Sequence, residues 1–216
     1  VLQKEMYIDI GADTKEAAEK LVKKGDVAVF ESEYIEFGNH RIKAKALDDR
    51  AGCYELIRLL QEADFYYDTW CCFTVQEEIG LRGATIAAKK IMPDIALILE
   101  STICADTFGA PKHLWVSTMG EGGVLSVMER TSRSDWAFVQ QIIRLAEEKK
   151  IPCQLKRTGN GGNEAGAVQV TGAGVKTAVI SVPCRYIHSP VSVLDKTDLE
   201  NTYQLAKAVV ENLGGD

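Results

Sequence analysis

Four places in the sequence put metal-binding or proton-shuttling groups directly after apolar runs. They are Asp48-Asp49 after Ile42 to Leu47, Glu77-Glu78 after Trp70 to Val75, Glu100 after Ile95 to Leu99, and His188 shortly after Val175 to Val182. In open α/β sheets, sites form beyond the carboxyl ends of strands, so the set reads as one site gathered from four strand ends. Neighbouring strand residues point to opposite faces. At a strand's end, one acid of a pair can therefore hold a metal ion while the other leans over the same crevice. On that reading Glu78 is a metal ligand and Glu77 a proton shuttle. Asp48 bridges two metal ions, Asp49 supports it from behind, and Glu100 and His188 are further ligands.

Each position alone has a plainer reading. Asp48-Asp49 suits a helix amino end, Glu77-Glu78 a solvated turn, Glu100 a cap or ion pair, and His188 a satisfied structural residue. Their convergence on one sheet edge favours the site. His40 and His113 fall in loop-like contexts and are weaker candidates. Oxygen donors with one imidazole suit Zn²⁺, Co²⁺ or Mn²⁺ better than a sulfur-bound structural zinc. Two divalent ions sharing a carboxylate, beside an unattached Glu, describe a hydrolase that activates a bridging water.

The elements that must position these groups alternate from Ala44 onward between strands and amphipathic helices, which predicts an α/β sandwich with a largely parallel sheet. A helix over 49–62 places Cys53, Tyr54, Ile57 and Leu60 on one face. Strands follow over 69–75, 95–99, 124–128 and 175–182, the last ending at Pro183, with helices over 81–91 and from Ser134 or Asp135. Gly159 to Asn163 reads as a loop. A capping box from Thr197 to Glu200 opens the last helix, which finishes at Gly214-Gly215. Residues 1–43 read as a separate β-rich element. It has a short helix capped by Thr14 or Asp13, a strand over Val27 to Phe30, and a turn and return strand over Ile35 to Ile42.

Composition excludes several classes. At 216 residues with 46% hydrophobic and 26% charged content, the chain can bury an ordinary core. A net charge of −6 with no clustered Lys/Arg stripe argues against a nucleic-acid partner. No apolar run approaches the ~18 residues of a membrane span, and no signal-peptide pattern is seen, so a cytoplasmic location and no membrane partner are expected. The six cysteines form no CxxC pair and mostly sit in apolar segments, which predicts buried reduced thiols.

Ala46-Leu47-Asp48-Asp49-Arg50-Ala51-Gly52, Gln76-Glu77-Glu78-Ile79-Gly80, Leu99-Glu100 with Ala105-Asp106-Thr107, Gly161-Gly162 with Ala165, and Arg185-Tyr186-Ile187-His188-Ser189-Pro190 form an ordered set. In order and spacing it resembles the co-catalytic zinc aminopeptidases of the TET type, often labelled glutamyl aminopeptidase or endoglucanase. The resemblance implies a zinc-exopeptidase-like three-layer α/β sandwich with a mostly parallel central sheet, here residues 44–216. Residues 1–43 would be the tail of a small β-rich dimerisation domain inserted in it. It further implies peptide substrates cut at their amino ends, two divalent metal ions and a dodecameric homo-oligomer. Asp48 would bridge, Glu78 and His188 would complete one metal, Glu100 would hold the other, and Glu77 would be the general base.

Departures from that pattern carry expectations of their own. The family's first ligand, a His in a His-x-Asp motif upstream of the insert, has no counterpart, and the chain begins at Val1. This reads as the carboxyl-terminal two-thirds of a longer protein, with the metal at Glu100 one ligand short. Phe108 stands where relatives usually have Pro, and Asn163-Glu164 where they usually have Thr-Asp. The rival functions are a truncated, catalytically impaired metal-binding or assembly subunit, and a glycoside hydrolase using paired carboxylates.

Overall fold

The computed structural model describes residues 2–157 and 161–213. Val1, the loop residues Gly159 and Asn160, and the closing Gly214-Gly215 lie outside the described residues. The chain divides into two compact units, Val1–Glu31 and Ser32–Asp216.

In the first unit, Thr14 caps helix α1 (Lys15–Leu21): its hydroxyl oxygen accepts the Ala17 N–H at 3.1 Å. The expected strand over Val27 to Phe30 is not formed, and its side chains are exposed. A single extended run has no ladder to join.

The second unit is built on one open sheet. Its strands are β1 (Ile35–Phe37), β2 (Arg41–Ala44), β3 (Ile95–Ile103), β4 (Gly123–Ser126), β5 (Cys153–Leu155), β6 (Lys176–Arg185) and β7 (Ser192–Asp195). The order is β1-β2-β7-β6-β4-β5, with β3 on the other edge of β6. Residues 35–43, grouped above with the amino-terminal element, thus join this sheet. The α/β class holds, but the sheet is mixed, not mostly parallel. β3 and β6 run parallel, as do β4 and β5, whereas β1 with β2, β2 with β7, β4 with β6, and β6 with β7 run antiparallel.

Strand β3 shows how the two faces are filled. Ile95, Leu97 and Leu99 pack into a core with α2 (Leu47–Glu62), α4 (Trp136–Lys149) and α6 (Lys196–Asn212), around Leu59, Phe138, Ile142 and Tyr203. The alternate residues Ala96 and Ile98 pack against α3 (Arg82–Ile91) and α5 (Ala165–Val168). Period-two alternation thus divides one strand between two helical layers. Glu100 follows in the register of Ala96 and Ile98.

Several elements differ from expectation. Residues 69–75 pair with no strand among the described residues, despite their strand-like composition. Strand β3 continues through Glu100, because its ladder with β6 runs on to Ile103↔Cys184. Strand β6 continues through Pro183, which lies where the strand changes partner on one side. Residues 179–181 pair with β4, and 184–185 with β7. Proline's missing N–H is tolerated at such a break. Asp195, not Thr197, caps α6, accepting the Thr197 N–H at 2.8 Å. All six thiols are free, but only Cys104 and Cys184 are buried, and Cys53 and Cys72 are exposed.

In α2 the four residues expected on one face do share one, and it is the exposed face. The helix's buried face carries Leu47, Ala51, Gly52, Glu55 and Leu59, while Cys53, Tyr54, Ile57 and Leu60 face outward. Glu55 is fully buried, and neither carboxylate oxygen has a hydrogen-bond partner among the described residues. Burial, reinforced by the Asp49 charge, pushes its carboxyl well above the usual range. Because the folded value lies above the unfolded one, the protein loses stability as pH rises past the ordinary 4.5. Glu55→Leu should therefore raise stability by about 2 kcal/mol at pH 7, with a smaller gain at pH 4. Urea denaturation at the two pH values measures this.

Candidate metal and catalytic site

The acids converge because local backbone features deliver them. In α2, Asp48 (φ −92, ψ 103) and Asp49 (φ −121, ψ 57) are not helical, and the peptide bond between them is cis. The helix proper starts after Asp49, whose Oδ1 accepts the Gly52 N–H at 2.9 Å, in the manner of an N-cap. Gly52 has to be a glycine: a Cβ there would stand 2.4 Å from Asp49 Oδ2 and 2.8 Å from the Leu99 carbonyl oxygen. The Ser101 hydroxyl donates to the Leu47 carbonyl at 3.0 Å, tying β3 to the turn that carries Asp48.

Glu77 and Glu78 sit in a turn, not at a strand end. The Glu77 carbonyl accepts the N–H groups of Gly80 at 3.1 Å and Leu81 at 3.0 Å. His188 lies in the loop after β6. Left-handed backbone at non-glycine residues recurs beside these groups, at Ala46, Gln76, Leu81, Tyr186 and His188 itself. Such conformations are costly and cluster where the surrounding structure imposes them, commonly at functional sites.

The result is a cleft of about 410 Å³ lined by Asp48, Glu77, Glu78, Glu100 and His188. His188 Nε2 lies 3.3 Å from Asp48 Oδ2 and 3.2 Å from Glu78 Oε1. Two donor groups result, Asp48 with Glu78 and His188, and Asp48 with Asp49 and Glu100. In each, ligand atoms lie within 4.8 Å of one another. Asp48 belongs to both. Asp49, read from sequence as a support, is close enough to be a donor as well. His40 and His113 do not line the cleft.

The electrostatics follow from crowding. Burial first, then neighbouring acids, pushes Glu77 up to about 7, with Glu78 and Asp48 the main neighbours. Asp49 is also pushed up to about 7, mainly by burial, against the pull of the Gly52 N–H. Asp48 is raised by burial and by Glu78, and Glu100 is raised well above the usual range by burial and by Asp49 and Asp48. Like charges this close cannot all ionise unaided. A divalent cation reverses the balance, and the mix of carboxylates with one imidazole fits one.

The opposite wall of the cleft was missed by the sequence reading. Buried Glu129 is ion-paired with Lys156, accepts from the Ser126 hydroxyl at 3.0 Å, and accepts from Asn163 Nδ2 at 2.5 Å. An acid three residues past β4 carries the same kind of signal as Glu100, and could have been found by it. Asn163 Oδ1 also accepts the Ala165 N–H at 2.9 Å, and Glu164 accepts from the Thr74 hydroxyl. Asn163 and Glu164 therefore brace this wall and the 69–75 segment.

Loops over an open α/β sheet thus gather carboxylates and an imidazole around a cleft that could hold a divalent cation. The chain belongs to the M42 glutamyl aminopeptidase family, whose pattern matches residues 2–205. A lysyl aminopeptidase of Pyrococcus furiosus is 32% identical over 211 residues, 96% of this chain and 60% of its own. Among solved structures, an aminopeptidase of Desulfurococcus kamchatkensis superposes with a TM-score of 0.90 at 38% identity, over 94% of this chain and 58% of its own. The TET1 peptidase of Pyrococcus horikoshii, which can assemble into a tetrahedron or a large octahedral shell, does so at 0.77 and 30% identity, over 94% and 59%. The chain spans about 60% of the length of the curated relatives it matches.

One ion pair fixes the approach to His188. Arg185 donates to Asp106 in bidentate fashion, Nε to Oδ1 at 2.7 Å and a terminal nitrogen to Oδ2 at 2.9 Å, and Asp106 Oδ2 also accepts the Met119 N–H at 3.0 Å. Burial alone would raise the Asp106 carboxyl, but these partners outweigh it and hold it below its ordinary 3.8. Its contribution is therefore present above that value and lost as pH falls through the lower folded value. Asp106→Asn should cost about 3 kcal/mol at pH 7. The deficit against the unsubstituted protein should shrink on acidification, as read by denaturant unfolding across pH.

Proposed function

We propose that this chain carries the metal site and general base of an aminopeptidase that removes amino-terminal residues from peptides. The observation that carries the reading is the pair of donor groups sharing Asp48, with Glu77 beside them in the same cleft. Asp48, Glu78 and His188 would hold one divalent ion, and Asp48 with Glu100 the other, with Asp49 steadying Asp48 from the helix start. Zinc or cobalt suits the set best, and manganese is the next choice. Bound there, the ions would polarise the scissile carbonyl and acidify a water.

The chain's own residues do the rest. Glu77 takes a proton from the attacking water and returns it to the leaving amine. Unbonded carboxylate oxygens of the acidic wall suit the positive charge of a peptide's free amino end. The family's peptidase character disfavours the glycoside-hydrolase alternative. The family is a glutamyl aminopeptidase family and one relative a lysyl aminopeptidase, so the preferred residue is not inherited from them. A location in the cytoplasm is part of the proposal, with the supporting fact that no helix among the described residues is long and apolar enough to cross a membrane. So are a TET-like homo-oligomer and the assignment of the amino-terminal element to a dimerisation domain, without residues 35–43, which join the sheet of the second unit.

A second reading, an impaired subunit holding a single ion, draws on one observation: the Glu100 group consists of carboxylates alone, whereas the Glu78 group includes His188. Metal analysis separates the two, with two ions per chain supporting the enzyme and one supporting the alternative. Glu77→Gln should keep its metal content and lose about 10²- to 10⁴-fold in peptide turnover, and a chelator should abolish activity. A metal-replete Gln variant with full turnover overturns the role of Glu77.

A further inference from the structure

Among the described residues, one lysine and one arginine line the cleft, and they are placed differently. Lys156 is buried against Glu129, so its charge is already matched. Arg130 is exposed, and its guanidinium has neither an ion pair nor a hydrogen bond among the described residues. The backbone that carries it is nevertheless fixed. The Arg130 N–H donates to the Gly161 carbonyl at 3.0 Å, and the Glu129 N–H to the Ser132 carbonyl at 2.8 Å. Gln169 bridges the same turn, donating to the Thr131 carbonyl at 3.0 Å and accepting the Arg133 N–H at 3.2 Å. Glycines let the facing chain lie close, since a Cβ on Gly162 or Gly166 would stand 2.7 or 2.8 Å from Thr131 Oγ1. A solvated surface arginine needs no such mounting. Here a rigid base presents an unused fork of N–H donors to the cleft.

The sheet sets the distance between the two poles of the cleft. Glu100 on β3 is level with Ser181 on β6, and Ser181 with Val124 on β4. Two strand spacings make ~10 Å. Ser126, two residues along β4 from Val124, donates its hydroxyl to Glu129 at 3.0 Å and so ties the 129–131 turn to that strand. The acidic donors and this turn therefore face each other across β6, at about the length of two or three extended residues of ~3.5 Å each. A ligand that fills the gap has an ammonium end for the acids and an anion for the turn. A carboxylate is the anion whose two oxygens match a guanidinium fork. A second ammonium there would meet like charge.

We propose that Arg130 is a specificity-determining residue of the cleft, binding a carboxylate of the peptide whose free amino end lies at the acids. The assignment rests on the peptidase reading above. Two carboxylates are within the span: the side chain of an acidic amino-terminal residue, and the terminal carboxylate of a dipeptide or tripeptide. With either, the cleft discriminates by charge at its far end. Lys156, Glu129 and Asn163 keep the wall behind Arg130 neutral and in place.

Equilibrium binding separates these cases without turnover. Three uncleavable dipeptides, each with a methylene in place of the scissile carbonyl, are titrated calorimetrically into the full 216-residue chain. One carries Glu first and a terminal amide, one Gln first and a free terminal carboxylate, and one Gln first and a terminal amide. At least one carboxylate probe should bind about 10-fold tighter than the neutral probe, and which one does so identifies the source. Arg130→Gln should bring that probe down to the neutral probe's affinity. Arg130→Lys, which keeps the charge and loses the fork, should fall between. Equal binding of all three probes overturns the proposal, as does a preference that survives Arg130→Gln. Loss of all binding, the neutral probe included, overturns the peptidase reading together with it. Binding of the neutral probe without any preference for charge overturns the role of Arg130 and leaves that reading standing.

Discussion

Mutual repulsion among carboxylates confined in one cleft is the constraint on which the rest of the structure depends. Asp48, Asp49, Glu77, Glu78 and Glu100 come from three separate stretches of chain, and burial and proximity raise the proton affinity of four of them. Nothing about that arrangement favours folding by itself. It is held by features with no charge to spare: the glycine that lets Asp49 lie against the helix start, the Ser101 hydroxyl on the Leu47 carbonyl, and the Arg185–Asp106 pair at the root of the His188 loop. The remaining cost is offset by the two apolar cores on either side of β3.

The site was more legible in the sequence than the sheet was. Acids directly after apolar runs are rare enough that their order along the chain pointed to one place, and Asp48, Glu77, Glu78, Glu100 and His188 all line one cleft. What local pattern could not supply was which strands find partners. Residues 69–75 have the composition of a strand but no ladder, and β6 runs through a proline because its partners change there. Pairing direction depends on distant neighbours, so a run of alternating strands and helices suggested a parallel sheet where the ladders are mixed.

The wall around Glu129 was missed for a different reason. Glu129, Lys156 and Asn163 are dispersed over 35 positions, and each looks like an ordinary surface residue until the fold buries them together. Buried in a low-dielectric setting, such a network is rigid only because each member is satisfied. It gives the cleft one wall neutralised within itself and another made of clustered acids with His188 among them.

Helix α2 carries its more apolar stripe on the outside and a carboxyl group on the inside. Exposed side chains of this kind change stability by only about ±0.5 kcal/mol when replaced. Folding of this chain by itself therefore exerts almost no selective pressure to keep Tyr54, Ile57 and Leu60. Mutational tolerance measured on the isolated chain would score them as free to drift, and would score Glu55, a liability to the fold, as a position open to improvement.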